Sequence, residues 1–249
     1  MNAIPFDFWD TIVVDDSDEA KRASQGLLSK PQARRELFVN EIIAHHPEVG
    51  EKRAQTAFDH CNERFRHWWK VEHRTPPIGD RLLEGFTYLG LGRTPGFDKM
   101  VDAFASMEVD IPPDLAPGIK GCLQALHGRY QLGIISDAIV TPGSGLRTIL
   151  ENYGIKKYFQ VFIFSGEAGA AKPDPLVFEL ACQKFRIKTD QLVHIGDREA
   201  NDVGGPYAFG AHSVLYTGAV DRGSSGSTQA DAVCTHHDAL PGIIDSIFR

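Results

Sequence analysis

The pattern of apolar and polar positions changes twice along the chain. Residues 3–14 are rich in apolar and β-branched side chains, a pattern that predicts a β-strand. Residues 17 to about 110 instead place apolar side chains at helical spacing, with Pro- and Gly-containing segments between the predicted helices. From residue 111 onward, short apolar segments alternate with amphipathic ones, which predicts alternating strands and helices.

The later strands are predicted to be short and almost wholly apolar, as expected where helices bury both faces of a parallel sheet. These strands are predicted at 132–135, 161–164, 192–195, 213–216 and 232–234. The helices are predicted at 35–43, 54–69, 80–91, 96–107, 117–127, 146–153, 176–185, 200–209 and 239–248. The predicted fold class is therefore α/β, a Rossmann-like parallel sheet with helices on both faces, plus a helical bundle.

The helical block separates the first strand from all the others. The economical explanation is an insertion, with residues 1–15 and 113–249 forming a core and residues 16–112 a helical cap. Open α/β sheets bind ligands at the carboxyl ends of their strands. We therefore expect the cap to close over that edge and exclude water during a reaction.

Composition and charge exclude several classes of protein. The chain has 249 residues, with 26 Lys and Arg against 33 Asp and Glu, so its formal net charge is −7. This charge argues against binding nucleic acid by broad phosphate neutralisation. No apolar segment approaches the ~18–20 residues of a membrane span, and the first residues do not resemble a secretory signal. The four cysteines are far apart and suggest no disulfide scaffold, so we expect a cytoplasmic protein. We further expect a monomer or a homodimer.

Four polar segments lie at the ends of predicted strands or before predicted helices. They are Phe6–Thr11, Ile134–Asp137, Lys172–Pro175 and His194–Asp202. Their carboxylates, hydroxyls and lysine suit attack by a carboxylate nucleophile on a phosphoryl group. Such an attack brings negative charges together, and a divalent cation can offset the repulsion.

The roles then divide among these residues by their chemistry. We expect Asp7 to be the nucleophile, with Ser136 and Lys172 donating to the phosphoryl oxygens. Mg²⁺ prefers oxygen ligands, which are expected from Asp7, Asp197, Asp202 and the backbone carbonyl of Trp9. Asp202 has an alternative role, that of holding Lys172. The remaining assignments are to substrate binding: Trp9, Thr11 and Asp137. The expected partner is a small, anionic substrate.

The ordered set of segments resembles the haloacid dehalogenase superfamily, whose hydrolases and phosphotransferases use an Asp nucleophile. The resemblance covers the chain up to about residue 15 and again from about 113 to 216. It implies a Rossmann-like core, a cap inserted after the first motif, and a Mg²⁺-dependent phosphatase that forms an aspartyl-phosphate at Asp7.

One position departs from the pattern of the superfamily. Its phosphatases usually carry a second Asp two residues after the nucleophile, to protonate the leaving group and activate water. Here that position is Trp9, which cannot transfer protons, so we expect slow or substrate-assisted turnover of generic phosphate esters. Asp10 is either a displaced acid/base or, as we favour, a turn residue or a partner for cap arginines. The aromatic Trp9 keeps a 2-haloacid dehalogenase open as an alternative, and a third is a binding or regulatory protein with weakened catalysis.

Three further features have more ordinary interpretations. Residues 60–74 carry four Arg or Lys and two Glu, so this stretch is either an anion-recognition patch or, as we favour, a solvated helix face. His194 is interpreted as a hydrogen-bonded core histidine. The Gly- and Ser-rich stretch 222–227 is interpreted as a flexible surface loop.

Overall fold

A computed structural model describes all residues from 1 to 249 and contains one six-stranded parallel sheet. The spatial order of the strands is β3-β2-β1-β4-β5-β6. The strands are β1 (Ala3–Phe6), β2 (Gln131–Ser136), β3 (Val161–Phe164), β4 (Val193–Gly196), β5 (His212–Tyr216) and β6 (Ala232–Cys234). The predicted α/β class is confirmed, because every strand pair is parallel and helices connect successive strands from β1 to β5.

Eleven α-helices accompany the sheet. They are α1 (Asp18–Ser24), α2 (Lys30–His45), α3 (Glu51–Lys70), α4 (Ile78–Tyr88), α5 (Phe97–Asp110), α6 (Ile119–Leu126), α7 (Gly143–Asn152), α8 (Ser165–Ala168), α9 (Pro175–Phe185), α10 (Gly205–Phe209) and α11 (Leu240–Ile247). A π-helical turn, Glu199–Gly204, precedes α10, so the helix predicted at 200–209 is continuous but not uniformly α-helical. Such turns are frequent at functional sites.

The first strand ends earlier than the apolar pattern indicates. β1 stops at Phe6, and the prediction of strand for residues 7–14 is wrong. The chain folds back on itself, and the amides of Ile12 and Val13 both donate to the carbonyl of Phe8. Asp10 lies within this turn at a φ of 52°, a left-handed conformation that extended strands do not use. The apolar residues 12 and 13 are buried here because the turn packs inward.

The chain divides into two compact units. The sheet unit comprises Met1–Asp15, Pro113–Asp137 and Leu150–Arg249, and the helical unit comprises Asp16–Pro112 and Ala138–Ile149. The division differs from the sequence-based boundaries in one respect, because residues 138–149 group with the helical unit. Val140 packs against the apolar core of that unit, which gives the physical reason. No helix combines the length and the apolar character that crossing a membrane requires.

The helical unit has its own apolar core. The ring of Phe38 lies 5.5 Å from the rings of both Phe58 and Phe86. Helices α3 and α4 approach closely at Gly85, where a Cβ atom would lie only 2.6 Å from the Cys61 sulfur. A larger residue at position 85 would therefore force these two helices apart.

Candidate active site

The carboxyl ends of the three central strands bring the predicted chemistry together. Asp7 follows β1, Ser136 is the last residue of β2, and Asp197 follows β4, so all three lie at one edge of the sheet. The chain adds β2 and β3 on one side of β1, and β4, β5 and β6 on the other. The strand order therefore changes direction between β1 and β4, and open α/β sheets bind ligands at such a point. The amide of Asp7 donates to the Ile195 carbonyl at 2.7 Å, which fixes the start of the loop against β4.

Lys172 is buried among carboxylates. Its Nζ atom lies 2.8 Å from Oδ1 of Asp7 and 2.5 Å from Oδ1 of Asp202. Its backbone amide donates to Oδ1 of Asp137 at 3.0 Å, which positions the start of the lysine segment. Burial alone would lower the pKa of Lys172, but Asp202, Asp7 and Asp137 together outweigh it and raise the pKa. The lysine therefore stays charged.

Asp202 is the residue that holds Lys172. Its Oδ1 atom accepts from Lys172 and lies 3.0 Å from Nε2 of His194, while Oδ2 accepts from the Arg198 amide at 2.9 Å. Burial would raise the pKa of Asp202, but the Lys172 ammonium and the contact with His194 outweigh that effect and lower it. Gly196 makes this arrangement possible, because a Cβ atom there would lie 2.2 Å from the carboxyl carbon of Asp202.

Three carboxylates form a group that could hold a cation. Asp7, Asp197 and Asp202 each offer an oxygen, and these oxygens all lie within 4.8 Å of one another. Oδ1 of Asp197 is buried and has no hydrogen-bond partner, so a favourable contact with a cation is still open to it. Burial, together with Asp7 and Asp202, raises the pKa of Asp197 to about 7 although Arg222 opposes the rise. An all-oxygen donor set fits a hard divalent cation such as Mg²⁺.

Two buried hydroxyls near the strand ends also lack partners. Oγ of Ser136 and Oγ1 of Thr11 have no hydrogen-bond partner, and both residues are almost fully buried. Unpaired buried hydroxyls are costly unless a ligand or water satisfies them. Ser136, at the end of β2, is thus available to donate to a bound anion.

Trp9 and Asp137, the other residues assigned to substrate binding, differ in their surroundings. Trp9 is only half-buried, and its ring packs edge-on against Phe8 with 5.0 Å between the centroids. Asp137 is buried and engaged, because it accepts from the Lys172 amide and from the Asn201 side chain. Asp137 therefore supports the Lys172 segment rather than presenting a free carboxylate.

Arg222 is part of this site, although the sequence pattern placed it in a flexible surface loop. Its Nε atom donates to Oδ2 of Asp197 at 2.5 Å, and its Nη2 atom donates to Oδ2 of Asp10 at 2.7 Å. Glu199 anchors the other end of the same loop through Thr228. The structure confirms the interpretation of Asp10 as a turn residue, whereas pairing with a cap arginine is wrong because its partner lies in the sheet unit. Only the proximity of an arginine to a Gly- and Ser-rich loop could have signalled this role.

His194 and Asn201 complete the buried network. The imidazole of His194 lies fully inside, with Nδ1 3.0 Å from the Pro5 carbonyl. Burial and the nearby Lys172 lower the pKa of His194. Asn201, which sequence reasoning did not single out, donates to Asp137 at 3.3 Å. Both side chains contact the carboxylates of this network.

Comparisons with known proteins agree with the resemblance noted in the sequence. Residues 1–210 match the profile described as hydrolase, haloacid dehalogenase-like hydrolase. A mouse protein, haloacid dehalogenase-like hydrolase domain-containing protein 3, is 27% identical over 157 residues, covering 61% of this chain and 57% of the mouse protein. Pyrimidine 5'-nucleotidase YjjG of Escherichia coli is 29% identical over 107 residues, covering 42% of this chain and 45% of that protein. Each match thus spans about half of the relative's own length.

A solved structure shows the same fold over the whole chain. The 2-haloacid dehalogenase of Pseudomonas syringae pv. Tomato superposes with a TM-score of 0.65 and 17% identity, covering 99% of both chains. At this identity, the similarity describes the fold and does not choose between dehalogenation and phosphate transfer.

Proposed function

The chain belongs to the haloacid dehalogenase-like hydrolase family, and from that premise we propose that it hydrolyses a small phosphorylated molecule with Asp7 as nucleophile. The observation that carries the proposal is the pairing of Asp7 with Lys172 inside a cluster of carboxylates that fits a divalent cation. A dehalogenation reaction needs a nucleophile but has no use for such a cation site. The relatives that match this chain include a nucleotidase, which is consistent with a phosphate ester as substrate.

Each residue then has a defined task. Lys172 pairs with the carboxylate of Asp7 and orients it, and Ser136 donates its free hydroxyl to a phosphoryl oxygen. Asp7 and Asp197 would hold Mg²⁺, with Asp202 positioning Lys172. When bound, Mg²⁺ would offset the repulsion between the nucleophile and the phosphoryl oxygens. The Trp9 carbonyl stays a further proposed ligand.

The proposed reaction has two steps. In the first, a carboxylate oxygen of Asp7 forms a bond to phosphorus, and the bond between phosphorus and the leaving-group oxygen breaks. The leaving-group oxygen takes a proton from water. In the second, water attacks the aspartyl-phosphate, which releases inorganic phosphate and restores Asp7. Trp9 cannot supply the acid and base of these steps, and Asp10 is committed to Arg222 and the Asp15 amide. We therefore expect the second step to be slow.

The test is release of phosphate and of halide by the purified chain, with Mg²⁺ or with EDTA. We expect phosphate release from p-nitrophenyl phosphate and phosphorylated metabolites with Mg²⁺, little with EDTA, and a loss of at least about a thousandfold in Asp7→Asn. Asp190→Asn, which changes an exposed aspartate of the same unit, should leave the rate unchanged. Equal rates with Mg²⁺ and EDTA would contradict the metal assignment, and activity that survives Asp7→Asn would remove the nucleophile.

The half-buried ring of Trp9, next to the nucleophile loop, favours a second candidate, the hydrolysis of a carbon–halogen bond. EDTA-insensitive chloride release from 2-chloropropionate would support that alternative over phosphate transfer. A third outcome is a phosphoryl group that accumulates on Asp7 without turnover, or phosphate binding with no product. Either result would indicate a binding or regulatory protein that retained the site.

A further inference from the structure

Arg81, on α4 of the helical unit, carries a charge that no carboxylate balances. Its Nη2 atom donates to the Asn62 side chain at 2.5 Å, and its guanidinium lies 4.3 Å from the centroid of the Phe65 ring. Burial and the neighbouring Arg34 lower the pKa of Arg81 to about 10, so the guanidinium is still charged at neutral pH. A partly buried arginine with only neutral partners is unusual, because buried charges are normally paired.

Arg81 lines a cavity that lies wholly within the helical unit. The cavity has a volume of about 340 Å³, within the usual range for small-molecule sites. Apolar side chains from three helices and the loop before α7 line its walls: Phe58, Ile78, Phe104 and Val140. The volume and the aromatic walls suit a small organic molecule rather than a lone inorganic ion.

Two donors of this cavity's lining arginines lack acceptors. Nη1 of Arg81 and Nε of Arg34 are buried and have no hydrogen-bond partner. Arg34 uses its other end to bind Glu108 at 2.8 Å, so its charge is matched while its Nε–H is not. Arg35, also on the lining, is exposed and already paired with Asp59 at 2.6 Å. The unmet demand is therefore for an acceptor that carries negative charge.

We propose that this cavity binds a small organic oxyanion, a carboxylate or phosphate on an apolar body, with Arg81 as its principal partner. The oxyanion would pair with the charge of the Arg81 guanidinium, and the apolar body would pack against Phe58 and Phe104. The proposal stands on residues of the helical unit alone and does not depend on Asp7.

The test is calorimetric titration of the full-length chain with benzoate and with phenyl phosphate, using benzyl alcohol as the uncharged probe. We expect both anions to bind and the alcohol not to bind. Arg81→Met should weaken the binding of the anions at least tenfold, whereas Arg93→Met, an exposed arginine of the same unit, should not change it. The absence of binding by both anions, or undiminished binding to Arg81→Met, would overturn the proposal.

A second variant separates binding from folding. Val140→Phe narrows the cavity and leaves every charge in place, so it should also weaken the binding of both anions. Arg81→Met should keep the wild-type melting temperature or raise it, because it removes a charge that has no ionic partner. If Arg81→Met unfolds instead, Val140→Phe still tests the proposal, because unchanged binding of both anions to Val140→Phe would show that they do not occupy this cavity.

The ligand could be part of the substrate of Asp7 or a separate molecule, and kinetics distinguish the two. Competitive inhibition of p-nitrophenyl phosphate hydrolysis by benzoate indicates part of the substrate, and a change in kcat at constant KM indicates a separate effector. Titration of Asp7→Asn needs no turnover, so failure of the proposed hydrolysis and failure of this site give different results.

Discussion

The sheet unit and the helical unit both bury charged side chains, but the charge left over has opposite sign in each. At the edge of the sheet, five aspartates surround two cations: Asp7, Asp10, Asp137, Asp197 and Asp202 against Lys172 and Arg222. In the helical unit, the buried carboxylate of Glu108 pairs with Arg34, whereas Arg81 has no carboxylate partner.

The difference indicates what each region is built to receive. An excess of buried carboxylates is stabilised when a cation compensates it or a carboxyl takes up a proton, whereas an excess of buried guanidinium groups calls for an anion. Within each region, however, some charges are balanced by neighbours and serve the fold. Single substitutions can separate charges that stabilise the fold, whose loss lowers the free energy of unfolding, from charges that are available to a ligand, whose loss changes binding.

The largest effect is expected for Lys172→Met, which removes the cation from the carboxylate cluster. Asp7 and Asp202 would then lie buried and adjacent with no neutralising ammonium. Breaking a buried ion pair in this way typically costs about 3–5 kcal/mol of unfolding free energy. Urea denaturation at pH 7 measures the loss, with Lys184→Met on the exposed face of α9 as the control. A loss below about 1 kcal/mol, the usual range of surface ion pairs, would contradict the comparison.

A smaller effect is expected for Glu108→Gln, which removes the balanced carboxylate of the helical unit. Glu108 accepts hydrogen bonds from Arg34 and Thr141 and lies 3.5 Å from the Lys30 ammonium. Burial would raise the pKa of Glu108, but these partners outweigh it and lower the pKa. We expect a destabilisation of about 2 kcal/mol at pH 7, within the cost of leaving charged partners unsatisfied.

The sign of the pH dependence follows from the lowered pKa of Glu108. A carboxyl whose pKa is lower in the folded state stabilises the protein above its unfolded pKa of about 4.3, and loses that contribution below its folded pKa. The stability difference between the wild type and Glu108→Gln should therefore be constant from pH 6 to 7 and shrink below about pH 4. Urea midpoints at each pH measure it, and a difference that grows on acidification would contradict the assignment.

The sequence could predict much of the fold because apolar periodicity reflects local burial. The strands at 161–164 and 232–234 have the predicted bounds, and the order of the other elements is as expected. The end of β1 could not be predicted in this way. Residues 12 and 13 are buried by a turn instead of a strand, and an apolar pattern does not distinguish the two.

The proximity of residues in the candidate site could be predicted where a polar residue ends or directly follows a strand. Asp7, Ser136 and Asp197 belong to this class, since parallel strands bring their carboxyl ends to the same edge. Arg222 and Arg81 do not. Arg222 and its partner Asp10 are 212 positions apart in the sequence. Arg81 stands out because its side chain donates to the neutral Asn62 and has no carboxylate partner. Such properties depend on tertiary proximity, which no local pattern encodes.

Arg222→Gln tests the smallest of these effects and the one closest to the proposed cation. The guanidinium donates to Oδ2 of Asp197 at 2.5 Å, so its positive charge competes with a divalent cation that binds the free Oδ1 of the same carboxylate. Removal of the arginine takes away that competitor and one unit of positive charge, and we expect Mn²⁺ to bind about tenfold more tightly, equivalent to ~1.4 kcal/mol. Calorimetric titration measures the affinity, with Arg129→Gln, which breaks a surface pair with Asp245, as the matched control. Weaker binding of Mn²⁺ to Arg222→Gln would instead mean that Arg222 holds Asp197 in the orientation that the cation needs. The affinity for the cation would then not follow from the excess of carboxylates alone.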